Sequence, residues 1–76
     1  MDVEDRLRAL ESRYRQALSA TVAAKVQYLA LLGEPGRPPA SVQRARQRWE
    51  TLASRKRAIA ARMGEIEDAE RDLLNV

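Results

Sequence analysis

Eight residues, GEPGRPPA from Gly33 to Ala40, decide what this chain can fold into, because the sequence on either side of them suits a helix and the stretch itself does not. Pro38 and Pro39 have no amide hydrogen, and each forces the residue before it, Arg37 and Pro38, out of the helical region. Gly33 follows Leu31 and Leu32 directly and is the expected left-handed stop of the helix that precedes it. The next helix starts either with Pro39 in its first turn or with Ser41 as N-cap. The expectation is one domain over residues 1–76: helix one over about 2–32, a turn over 33–40, and helix two over about 41–74.

Apolar and small residues before the turn fall at Val3, Leu7, Leu10, Tyr14, Ala17, Thr21, Ala24, Tyr28 and Leu31, with spacings that alternate between four and three. This is a heptad seam, with Leu7, Tyr14, Thr21 and Tyr28 at a positions and the others at d. Beyond the turn it resumes at Val42, Ala45, Trp49, Leu52, Lys56, Ile59, Met63, Ile66, Glu70 and Leu73, with Lys56 and Glu70 as charged interruptions. Pairing Leu31 with Val42 across the turn sets Tyr28 against Ala45, Ala24 against Trp49, Tyr14 against Ile59 and Leu7 against Ile66. The centre of that pairing falls between Gly36 and Arg37, in the middle of the turn identified from its prolines. The fold class is therefore all-α, a two-helix antiparallel hairpin of coiled-coil type.

With 76 residues and no cysteine, a two-helix hairpin has neither a large core nor a disulfide to hold it. A second apolar face is expected to supply the missing burial. Leu18 and Leu32 on helix one and Ala53, Ala60 and Leu74 on helix two occupy e positions beside the seam, and Val22 and Leu29 extend them. These seven residues form the expected self-association face, through which two hairpins make a homodimeric four-helix bundle or one hairpin meets another helical protein.

The opposite flank carries charge. Arg6, Arg13, Arg48, Arg55 and Arg62 all fall at g positions, and antiparallel pairing brings g beside g, so like charges face one another without partners inside the hairpin. This basic stripe, broadened by Arg44 and Arg57, is the candidate docking site for an acidic protein surface or for phosphates. Charge also varies along the chain: residues 13 to 62 hold 11 of the 14 basic residues and two of the 11 acidic ones, so the end carrying both termini is acidic.

Chemistry is not encoded in a recognisable way. The chain has no histidine and no cysteine. Glu67 with Glu70, and Glu65 with Asp68, have carboxylate-ligand spacing, but the di-metal bundles that use it add histidine. No nucleophile is paired with a base, and the glycines of the turn lack the lysine and length of a phosphate loop. No catalytic, cofactor-binding or metal residue is assigned. The acidic N-terminus MDVEDRLRALE does not read as an export signal, and the weakly charged run from Ser19 to Leu32 is too short for a bilayer, so no membrane association and a cytoplasmic location are expected.

The functional expectation is a non-enzymatic protein–protein interaction module, a small adaptor, co-chaperone or scaffold that self-associates and binds an acidic partner. The alternative is an RNA- or DNA-binding hairpin dimer that uses the arginine stripe. Against it, Tyr14, Tyr28 and Trp49 all lie in the seam, away from where bases would stack. In plan, with PPASVQRARQRWETL following the turn, the chain is similar to small components of bacterial type III secretion, both needle subunits and the co-chaperones that hold them. Arg48-Trp49-x-x-Leu52 resembles part of a spectrin-type helix, whose repeat needs a third helix. These likenesses are of plan and carry no residue roles across.

Overall fold

A computed structural model describes residues 2–75 of the chain. Two helices account for almost all of them: α1, Val3–Leu32, and α2, Pro39–Leu74. Laid end to end, helices of 30 and 36 residues would reach about 100 Å at 1.5 Å per residue. The molecule instead measures 61 × 17 × 15 Å, and α1 packs along α2. Antiparallel direction follows from which residues meet: Leu31 lines a groove with Ser41 and Ala45 near the turn, whereas Arg6 and Leu10 line one with Arg62 and Ile66 near the termini.

Local signals set the helix ends. Asp2 is the N-cap of α1, with extended backbone and a carboxylate that accepts the Asp5 amide at 2.9 Å. It satisfies one of the amides that the first turn leaves over, while Glu4 and Asp5 face the positive end of the helix dipole. Pro38 is the N-cap of α2 and Pro39 its first residue. Of the two possible starts, then, proline at the first helical position is the one adopted, and no side chain caps the helix. Helix two accordingly begins before residue 41.

The glycine expectation needs correcting. Gly33 closes α1 with φ −81°, inside the ordinary right-handed region, and its amide bonds the Leu29 carbonyl at 3.2 Å. The left-handed residue is Gly36, at φ +82°. Reversal therefore takes place three residues later than a glycine directly after two leucines suggests. The last turn of α1 stays helical to its end, and the chain swings back where Gly36 precedes Arg37 and the proline pair.

Within α1, the residues that are not exposed are the nine seam positions and no others. In α2 the seam from Val42 to Glu70 is half-buried, together with Ser41, Ala53 and Gly64. Leu73 departs from expectation: it is 76% exposed, because α1 begins at Val3 and offers nothing opposite the last turn of α2.

Small residues hold the centre of the rod. Ala17, Thr21 and Ala24 are the buried residues among those described, at 8%, 6% and 4% exposure, and no large side chain is fully buried. Thr21 is tolerated there because its hydroxyl donates to the Ala17 carbonyl at 2.6 Å, so burial leaves no polar atom unpaired. Next to them Trp49 stacks on Tyr28 with ring centroids 5.7 Å apart and planes 22° from parallel. The Lys25 ammonium lies 5.7 Å from the same indole centroid, within cation–π range. The indole thus sits at the level of residues 24 to 28 of α1, as the seam pairing requires.

Candidate interaction surfaces

Packing one helix on one helix leaves a great deal of surface. A compact protein of 8.6 kDa exposes about 4,700 Å² by the usual scaling with mass, whereas this chain exposes 5941 Å². Its radius of gyration is 17.4 Å, against about 11 Å for a compact chain of this length. Beside the seam the exposed surface includes two flanks of contrasting character, one apolar and one basic.

The apolar flank follows from a second four-three spacing on α1, one step around the helix from the seam. Along it Leu18 is 39%, Val22 53%, Leu29 52% and Leu32 53% exposed, and Val26, beside them, is 61% exposed. Val26 was missed by the sequence reading, which followed positions next to the seam; an isolated valine one position further round is visible as part of a patch only once the helix is built. Below Leu18 the same line turns polar, with Glu4, Arg8, Glu11 and Arg15, and Glu11 accepts a hydrogen bond from Arg15. The apolar strip therefore covers only the half of α1 nearest the turn.

On α2 the expected face is weaker. Ala60 is exposed and lies beside Tyr14, Met63, Gly64 and Glu67 in a shallow cleft. Ala53 is half-buried by the hairpin itself. Leu74 is 79% exposed but sits in the last turn of α2, at the end of the rod opposite Leu32, so it does not join the strip. The seven-residue face contracts to Leu18, Val22, Leu29 and Leu32, with Val26 added and the alanines as a small-residue margin.

The basic flank assembles as the heptads require. Arg6, Arg13 and Arg62 line one groove, Arg13 and Arg55 another with Gln16 and Leu52, and Arg44 and Arg48 a third with Gln27 near the turn. All five g-position arginines thus fall along one side of the hairpin with Arg44; Arg57, which follows Glu50 by two helical turns, lies on the other flank and does not broaden the stripe as expected. They are not equally free: Arg62 donates to Glu65 at 3.1 Å, so the expectation of five arginines without partners is corrected to four. Among the described residues, Arg6, Arg13, Arg48 and Arg55 make no ion pair. The acidic end is partly spoken for, since Arg71 pairs with Asp68 at 3.5 Å.

The aromatic side chains do not contribute to the basic flank. Trp49 and Tyr28 stack on each other and Tyr14 is half-buried in the seam. Among the described residues no helix is long and apolar enough to cross a membrane, and no three potential metal-ligating side chains come together. Compared with known proteins, the chain matches no protein-family model, no curated protein and no solved structure.

Proposed function

We propose that this protein is a non-enzymatic protein–protein interaction module, a small adaptor, co-chaperone or scaffold that self-associates through the apolar strip and binds an acidic partner along the basic flank. The observation that carries this reading is the strip from Leu18 to Leu32, five large aliphatic side chains exposed in one run beside a core of two alanines and a threonine. Such a strip presents about 400 Å² of apolar surface, as large as the largest patch on a typical monomer, which is often functional. Covering it with a second copy gives a homodimeric four-helix bundle and supplies the burial that two helices lack.

The unpaired Arg6, Arg13, Arg48 and Arg55 support the second half of the reading, because guanidinium groups held apart by the helix spacing suit a row of carboxylates. Those same arginines support the alternative, binding to the phosphates of RNA or DNA. Base stacking has no support, as the aromatic rings are engaged in the seam.

Two measurements test the proposal. Light scattering after size exclusion is expected to give a dimer for the natural sequence and a monomer of unchanged helicity for Leu18→Glu with Leu29→Glu; an unchanged mass in the variant counts against the strip. Titration with an acidic helical peptide and with a generic oligonucleotide over a range of salt separates the two partners. Binding of the oligonucleotide alone, with a steep salt slope, would replace the acidic-protein reading by the nucleic-acid one.

A further inference from the structure

The strip also specifies how its second copy lies, an inference that rests on the self-association proposed above. Leu18 and Leu32 each lie seven residues from Lys25, and Val22 and Leu29 lie three and four residues from it. A stripe spaced this way reads nearly the same in both directions, so it can meet itself when the two helices run opposite ways. The Lys25 ammonium at its midpoint lies over the Trp49 ring of its own chain, 5.7 Å from the centroid, a contact that engages it within the hairpin.

We infer that two hairpins pair antiparallel, α1 on α1 and α2 on α2, about a two-fold axis at the level of Lys25. Leu18 then meets Leu32 of the second copy, and Val22 meets its Leu29. This arrangement makes a second demand, which α2 satisfies independently. The seam sets Ala24 against Trp49, so Lys25 is level with Arg48, and residues equally far from Arg48 exchange across the axis. Those on the apolar flank are Arg46 and Glu50, two residues to either side. They already pair within one chain at 3.0 Å and are exposed. In the dimer each Arg46 also faces Glu50 of the other copy, giving a closed ring of four alternating charges.

Other orientations do worse on both counts. With both turns at the same end, a two-fold axis along the rod sets α1 against α2, so that Leu29 meets Gln43 and Arg46 and Val22 meets Glu50. That buries charge against leucine and valine without a partner for it. It also lays the two acidic ends side by side, whereas the antiparallel register carries them to opposite extremes of the assembly. An antiparallel pairing centred lower on α1, which would bring acidic ends beside basic middles, sets Leu29 and Leu32 against Glu4, Arg8 and Glu11 and leaves the strip unmatched.

The absence of cysteine makes the test direct. Leu18→Cys and Leu32→Cys are prepared separately, one of them isotopically heavy, and oxidised mildly both alone and mixed; both positions are exposed, so the hairpin tolerates the change. The inference predicts a heterodisulfide in the mixture at least tenfold more abundant than either homodisulfide. As a second readout, Arg46→Glu mixed with Glu50→Arg should form heterodimers in preference to either homodimer. A dimeric mass with homodisulfides dominant, or with no excess of the heterodisulfide, overturns the register and leaves self-association standing. A monomeric mass at every concentration overturns both.

Discussion

The two flanks of the hairpin are built on the same seam and differ only in what stands beside it. One flank offers Leu18, Val22, Val26, Leu29 and Leu32; the other offers Arg6, Arg13, Arg48, Arg55 and the Glu65-paired Arg62. The seam makes the hairpin, and in the proposed function the flanks make its associations, so substitutions in the three places should have separable effects. Apolar contacts are short-ranged and bury surface, so the first flank is expected to govern whether a complex persists. Unpaired charge acts at a distance and is screened by salt, so the second is expected to govern which partner arrives and how fast.

Seam substitutions should have the largest effect. Trp49→Ala removes the stack on Tyr28 and the contact with Lys25, and thermal unfolding followed by circular dichroism should register a loss of about 2 to 3 kcal/mol, with association lost as a consequence. On the apolar flank, Leu18→Glu with Leu29→Glu should keep the helicity and weaken self-association about a hundredfold, measured by sedimentation equilibrium. On the basic flank, Arg13→Glu with Arg55→Glu should leave the self-associated mass unchanged while lowering affinity for an acidic peptide about tenfold at low salt, and the difference should shrink as salt rises. Should the arginine pair change the mass, or the leucine pair change only the peptide affinity, the division between flanks is wrong.

The turn gives the smallest and cleanest contrast. Gly36→Ala must place a side chain at φ +82°, where nothing crowds it but the backbone itself is disfavoured, and should cost about 1 kcal/mol in a thermal melt. Gly33→Ala, at φ −81° with ordinary contacts to the Leu29 and Ala30 carbonyls, should stay within about 0.5 kcal/mol of the natural sequence. Equal losses at the two positions would contradict the assignment of the reversal to Gly36.

Much of this was legible in the residues. The proline pair marks the turn, and the one four-three spacing that runs the whole length of α1, from Val3 to Leu31, marks the line it buries, so the turn and the seam follow from local rules. What was not legible depends on where helices end relative to each other. Leu73 and Leu74 keep the heptad register but overhang the start of α1, and no spacing within α2 reveals that. Choosing between Gly33 and Gly36 required the path of the loop, since both are permitted left-handed residues. Pairing of Arg62 with Glu65 follows from a partner three residues along the same helix, which the pattern of facing g positions across the seam does not show.

The central claim is that a folded hairpin leaves its apolar strip for a second copy to cover. Sedimentation equilibrium of the unmodified chain over a hundredfold range of concentration, with helicity recorded on the same samples, tests it most directly. The expected result is a mass rising from 8.6 kDa to twice that value and stopping there, with helicity unchanged across the series. A fully helical species that stays at the mass of one chain throughout would contradict it.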